Sequence, residues 1–419
     1  MDRRSIVCAF LLATSAVCVS PAALSQSAGA TRQPSRDASA AISKQLTAAV
    51  ERGDTPGVVA LVVDRNGELY EGTAGKLDVT HNVPMPANAI FNIASMTKPV
   101  TSVAIMMLLE QGKLSLDDPV SKYLPGFDKQ QVITKFNEAD GTYETRPAKR
   151  VMTLRHLLTH TSGIGYAFAS PIVARLQQGT QKAEWELPLL HEPGEKWTYS
   201  ASTRVLGMVI EKITGVPLED YYQEHILRPL GMQDTSFAVA ADKQSRVPPN
   251  HRRVGSALEQ LPPATIPSTP TPPYRGDGGL YSTAHDYGLF MRMLLNGGRL
   301  GSTRILSEHS VKLMAQNQIG AIFVEQQPVG SPALTKPFPL GAGHDKFGLG
   351  FQIAAKGPDS ATYRGPGSLS WAGLYNTEFW IDPQRGIGGV LLMQLLPFYD
   401  DGAIRTLRNF EASVYKNFP

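Results

Sequence analysis

Ser95 and Lys98 lie three residues apart at the head of "FNIASMTKPVTSVAIMMLLEQG", a stretch otherwise made almost wholly of apolar residues. On a helix, positions i and i+3 share a face, so a hydroxyl and an amine placed there can meet. A serine is a weak nucleophile until a neighbour takes its proton. A lysine can take it only when neutral, and burial favours that form by penalising the ammonium. The partial positive charge of the helix N-terminus acts the same way, steadying an alkoxide at Ser95 and disfavouring the cation at Lys98. Spacing alone decides nothing, because Ser413 and Lys416 repeat it near the chain end, on an amphipathic segment where the lysine is solvated. The surroundings separate the two. Phe91, Ile93 and Met96 flank the first pair, where a lysine without a task would be costly.

Two further segments carry residue types suited to the same chemistry. Tyr199, in "GEKWTYSAS", sits in a Pro-Gly loop just before a helical pattern, and a phenol beside an ammonium can relay protons. Packing against Trp197 would explain that tyrosine equally well. In "SLSWAGLYNTEFWIDP", Trp371, Ala372, Gly373 and Leu374 read as the opening of a strand whose glycine bares a backbone N–H toward a developing oxyanion. A plain glycine turn before an edge strand is the competing reading. Other chemistries find no footing. There is no G-x-S-x-G elbow, P-loop, dinucleotide fingerprint or EF-hand, and His156 and His160 lack the glutamate a zinc peptidase would need between them. Those histidines read as structural groups at a helix end.

The elements that must position these residues follow from periodicity. A helix is expected over 38–52, then a β-hairpin in "PGVVALVVDRNGELYEGTAG". The Ser95 helix should run to about Gln111 and stop at Gly112. Short helical pieces are expected in "SLDDPVSKYLP" and "MTLRHLLTHTSGI", and longer ones in "TRVLGMVIEKITG", "PLEDYYQEHILRPLG" and "STAHDYGLFMRMLLNGG". The span 246–278 reads as a long proline-rich loop, a candidate lid or site wall. "FGLGFQIAA", "ATYRGPG", "NTEFWIDPQ" and "GIGGVLLMQL" read as strands, and "DDGAIRTLRNFEASVYKNF" as a closing helix. The fold class is therefore α+β, or mixed α/β. An antiparallel sheet flanked by helices is built from both chain ends (38–94 and 300–419), with a mostly α-helical domain, 95–299, inserted.

Composition is that of a globular chain: 42% hydrophobic, 18% charged, and a net charge of only +3 without basic runs, which argues against a nucleic-acid partner. Residues 1–25 have a basic head, an apolar core and small residues before a cut, the layout of a secretory signal peptide. Residues 26–37 read as a flexible leader, and a periplasmic or secreted location is expected. Both cysteines, Cys8 and Cys18, fall in the signal-like segment 1–25, so a processed chain would have no thiol for a disulfide, zinc site or nucleophile. No apolar stretch beyond it is long enough to span a membrane. No metal or organic cofactor is implied.

Taken together and in order, Ser95-Met96-Thr97-Lys98, Tyr199-Ser200 and Trp371-Ala372-Gly373 resemble the three motifs of the serine β-lactamase and penicillin-binding protein superfamily. The chain looks most like the class C β-lactamase-related esterases, the family VIII carboxylesterases. "TLRHLLTHTSGI", "GEKWTYS", "GGLYSTAHDY" and "FGLGFQI" resemble that family's connecting blocks, in its order, over nearly all of the chain. The resemblance implies that Ser95 is acylated, that Lys98 is its base or base partner, and that Tyr199 shares the proton relay. It also implies an oxyanion hole made of the backbone N–H groups of Ser95 and Leu374. Two positions depart from the β-lactamase pattern. Ala201 replaces the asparagine of the second motif, and Trp371-Ala372-Gly373 replaces Lys-Thr-Gly. The polar grip on a β-lactam is thus lost while the acyl-transfer groups remain. A small-molecule ester is the expected substrate, with Trp371, Ala372 and Gly373 at its binding surface. A β-lactamase or D-amino-acid peptidase, an acyltransferase, and a non-catalytic sensor on the same scaffold are the alternatives.

Overall fold

In the computed structural model, which describes residues 36–355 and 363–418, an eight-stranded antiparallel sheet is assembled from both ends of the chain. From the N-terminal part come helix α1 (Arg36–Glu51) and strands β1 (Gly57–Asp64), β2 (Glu68–Asp78) and β3 (Val83–Pro84). From the C-terminal part come β4 (Lys346–Phe347), β5 (Gln352–Ile353), β6 (Leu369–Gly373), β7 (Thr377–Asp382), β8 (Ile387–Leu392) and a closing helix, which caps the chain. The order is β4-β5-β6-β7-β8-β1-β2-β3, and β1 meets β8 with Val59 opposite Leu392 and Asp64 opposite Ile387. This antiparallel sheet, made by the two ends, is the one the sequence leads one to expect.

Strand β1 is buried along its whole length because both faces of the sheet are covered. Val58, Ala60 and Val62 pack with Ile42 and Leu46 of α1 and with Phe410 and Val414 of the closing helix. Val59, Leu61 and Val63 turn to the opposite core, shared with the inserted helices α2 (Thr97–Glu110), α3 (Ser202–Thr214) and α4 (Ala284–Leu295). The closing helix, α5 (Asp401–Asn417), begins at Asp400, whose carboxylate accepts from the N–H groups of Gly402 and Ala403. Helix α3 ends at Gly215 with φ 70°, a left-handed cap that glycine adopts without strain. All described residues belong to one compact unit, Gln33–Pro419.

The structure departs from the expected elements at several places. Helix α1 starts at Arg36, so the last two residues of the supposed leader are helical; the rest of that leader and the signal-like segment lie outside the described residues. The inserted region carries a β-hairpin, Gln131–Phe136 with Tyr143–Pro147, that the helical patterns on either side obscured. The proline-rich span contains another, His251–Val254 with Ala257–Gln260, the first strand of which runs parallel to Leu395–Leu396. Within "ATYRGPG", Tyr363–Gly367 forms no strand, and Ala361 and Thr362 lie outside the described residues. Trp371 lies at the centre of β6, and Gly373 closes that strand, because the turn follows it. Among the described residues no helix is long and apolar enough to cross a membrane.

Candidate active site

Ser95 sits in a single 3-10 turn, Ala94–Met96, that runs directly into α2. Ala94 before it has φ 41°, a left-handed conformation that costs a residue with a side chain on the order of 1–3 kcal/mol. Its neighbours hold it there: the Ala94 N–H donates to Asn92 Oδ1 at 3.0 Å, and Thr97 Oγ1 donates to the Ala94 carbonyl at 2.7 Å. The turn leaves Ser95 partly exposed, while Lys98 is fully enclosed one turn later.

Two groups converge on Ser95 Oγ. Lys98 Nζ donates to it at 3.0 Å and the Tyr199 hydroxyl at 2.6 Å. Tyr199 reaches it from an extended segment just before α3, where its N–H donates to Gln327 Oε1 at 3.0 Å. Burial pushes the Tyr199 phenol well above its ordinary value, with the hydrogen bond to Ser95 acting in the other direction. Lys98 Nζ also lies 4.8 Å from the Tyr199 ring centre.

Lys98 has partners that the sequence did not disclose. Its ammonium donates to the backbone carbonyl of Asp277 at 2.6 Å and to the Tyr166 hydroxyl at 3.2 Å. Tyr166 in turn donates to the Asp277 carboxylate. Arg204 Nε pairs with that carboxylate at 3.0 Å, and Arg275 stands 3.6 Å from it. Desolvation pulls Lys98 down to about 7; Asp277 opposes the shift, and Arg275 and Arg204 reinforce it. The amine is therefore divided between its charged and neutral forms near neutral pH. His160, read from the sequence as a structural histidine at a helix end, follows the short helix Leu154–Leu158 and packs beside the site. It is buried, with Nδ1 3.0 Å from Ser200 Oγ, and its ring lies 5.0 Å from that of Tyr199 and 6.0 Å, nearly parallel, from that of Trp371. It braces the two aromatic residues, whereas His156 does serve the helix end, accepting the Thr153 N–H at the cap. The only sequence signal for Asp277 was its place between two glycines in "RGDGG". For Tyr166 and His160 there was no signal beyond their residue type.

The end of β6 comes up against the Ser95 turn. A side chain at Gly373 would sit 2.3 Å from the Ile93 carbonyl and 2.2 Å from Thr377 Oγ1, so only glycine permits this approach. Leu374, the next residue, lines the same cleft as Ser95. The cleft holds about 620 Å³, part of it open to solvent, and Phe168, Phe338, Trp371 and Ala372 wall it near the serine. The Trp371 indole N–H is buried with no hydrogen-bond partner among the described residues. Gly373 acts through the backbone approach, while Trp371, Ala372 and Leu374 face the cleft. No cluster of metal-ligating side chains occurs among the described residues.

The α+β fold brings a lysine and a tyrosine within hydrogen-bond distance of one serine oxygen, beside a cleft walled in part by aromatic residues. The chain belongs to the Beta-lactamase family, whose model matches residues 42–413. It is 30% identical over 397 residues to monacolin J acid methylbutanoyltransferase of Aspergillus terreus, covering 88% of this chain and 94% of that protein. It is also 30% identical over 368 residues to esterase EstB of Burkholderia gladioli, covering 80% and 85% respectively. Among solved structures, unliganded simvastatin synthase (LovD) from Aspergillus terreus superposes with a TM-score of 0.76 at 26% identity, covering 91% of this chain and 98% of that one. Its relatives thus include both ester hydrolases and acyltransferases of this fold.

Proposed function

We propose that the protein is an exported carboxylesterase working through an acyl-enzyme on Ser95. The observation that carries this reading is the convergence of Lys98 Nζ and the Tyr199 hydroxyl on one serine oxygen, at 3.0 and 2.6 Å. Neutral Lys98 takes the Ser95 proton, directly or through Tyr199, as Oγ attacks the ester carbonyl. The carbonyl oxygen becomes an oxyanion facing the N–H groups of Ser95 and Leu374, neither of which donates to another described residue. Collapse of that intermediate breaks the C–O bond, and the alcohol leaves with the proton from the Tyr199/Lys98 pair. Water then attacks the acyl-enzyme, giving its proton to the same pair, which returns a proton to Ser95 Oγ as its bond to the acyl carbon breaks and the acid is released.

Ala201 and Trp371 stand where a β-lactamase keeps polar groups, and the cleft beside Ser95 is aromatic. Both features favour an ester over a β-lactam. The experiment is side-by-side turnover of p-nitrophenyl butyrate and nitrocefin, with Ser95→Ala as control. Ester hydrolysis that vanishes with Ser95, and little nitrocefin signal, is expected. Efficient nitrocefin turnover would transfer the reading to a β-lactamase. Export is checked by fractionating cells that make the full chain; enzyme retained unprocessed in the cytoplasm would contradict it.

A second reading, transfer of the acyl group to an alcohol or amine, is favoured by the 30% identity to a methylbutanoyltransferase. Added acceptor alcohol that diverts product from acid to new ester would establish it.

A further inference from the structure

Part of the cleft's lining is polar. Glu378, the second residue of β7, opposite Ala372 of β6 and Leu391 of β8, is only 3% exposed yet lines the cleft. Its Oε1 is buried with no hydrogen-bond partner among the described residues, and neither of its oxygens accepts from one. Arg364, which also lines the cleft, donates through Nε to Glu411 Oε1 at 2.6 Å. A guanidinium has five N–H donors, and the other four of Arg364 donate to no described residue. A buried acid and a buried guanidinium that both face a cavity with hydrogen-bonding capacity unused are rare in a folded core. The mechanism at Ser95 uses neither.

We propose that this polar wall reads an uncharged hydroxyl on the acyl chain of the ester, with Glu378 and Arg364 as the specificity-determining residues. The inference rests on the ester-hydrolase reading above and names its substrate class. The acyl side follows from the order of steps in that reading: the alcohol leaves before water attacks, so the acyl chain is the portion that stays in the cleft through both steps. The uncharged state follows from the charges present. Arg364 and Glu411 neutralise each other, which leaves Glu378 without a counter-ion, and burial raises it to about 8, with Arg364 lowering and Glu411 raising it. At neutral pH Glu378 is thus a carboxylic acid, able both to donate and to accept. A hydroxyl can accept from Arg364 or Glu378 and donate to the open Glu378 oxygen. A methyl group would leave all of them unsatisfied, an ammonium would face the guanidinium, and a carboxylate would enter a cleft that Asp345 and Glu378 already line.

The test uses the full-length protein and p-nitrophenyl esters of straight acyl chains from butanoyl to octanoyl. Each chain is compared as its methyl-, hydroxyl-, ammonium- and carboxylate-terminated form. At one chain length the hydroxyl ester should exceed its methyl counterpart in kcat/KM by about tenfold or more, the scale set by leaving one buried polar group unsatisfied. Glu378→Leu should bring that ratio to about one, and Glu378→Gln, which keeps the shape and hydrogen bonding, should retain most of it. Should Glu378→Leu not fold, the Gln variant and the wild-type series decide. Ester hydrolysis that depends on Ser95 but shows no hydroxyl preference at any length would overturn this inference and leave the esterase reading intact. Preference for the ammonium or carboxylate chain would also overturn it. Failure to hydrolyse any ester would remove both.

Discussion

The chain carries two serine-lysine pairs at the same spacing, and the structure makes them different objects. Ser95 and Lys98 sit at the junction of a 3-10 turn and a buried helix, with Lys98 held by the Asp277 carbonyl, Tyr166 and Ser95 itself. Ser413 and Lys416 lie in the last turns of α5, where Lys416 is exposed and the Ser413 carbonyl accepts from the Asn417 side chain. Both pairs satisfy the same helical geometry. What distinguishes them is desolvation of the amine and a third group, Tyr199, brought in from 104 residues away. Spacing proposes a site, and tertiary enclosure makes one.

That contrast can be broken by exchanging roles. Lys98→Ala should lower kcat/KM for a p-nitrophenyl ester by about 10³-fold, the order expected when a positioned base is lost. Lys416→Ala should leave it unchanged. Comparable losses in both variants would show that the enclosure of Lys98 has no catalytic consequence. A smaller effect is expected from Gly373→Ala, which would drive a methyl into the Ile93 carbonyl and move Leu374 away from Ser95. A kcat reduced about 10²-fold with little change in KM would match loss of one oxyanion donor. Unaltered kcat would remove Leu374 from that role.

The gentlest probe is pH. Lys98 is lowered from its ordinary value to about 7 by desolvation, so its neutral form grows as pH rises through 7. Below that, the ammonium cannot accept the Ser95 proton, and kcat/KM should fall about tenfold per unit. Asp277 opposes the shift, so Asp277→Asn should displace the acid limb to lower pH. An acid limb that does not move would separate Lys98 from the titration that governs rate.

The sheet and the Ser95 helix were legible because their signals are local. β-Branched residues and the turn Asp64–Gly67 mark β1 and β2, and the apolar run Val103–Leu109 marks α2. Tyr199 and Trp371 were legible only through their order along the chain, since neither stands out by type beside Trp197 or Trp380. Tyr166 and Asp277 were not legible, because their contacts with Lys98 span 68 and 179 residues and no period encodes them. The two missed hairpins, Gln131–Pro147 and His251–Gln260, are largely exposed, and their polar strands lack the alternation that marks a core-facing strand. Glu378 was hidden for the opposite reason, as an acid beside the apolar run Phe379–Ile381 of β7.

The central claim is that Ser95 carries the acyl group, and the most direct test is mass spectrometry of the acid-quenched enzyme during turnover of a slow ester. An adduct equal to the acyl mass, mapped to the peptide bearing Ser95 and absent in Ser95→Ala, is the predicted result. An adduct on another residue, or its persistence in Ser95→Ala, would contradict the account.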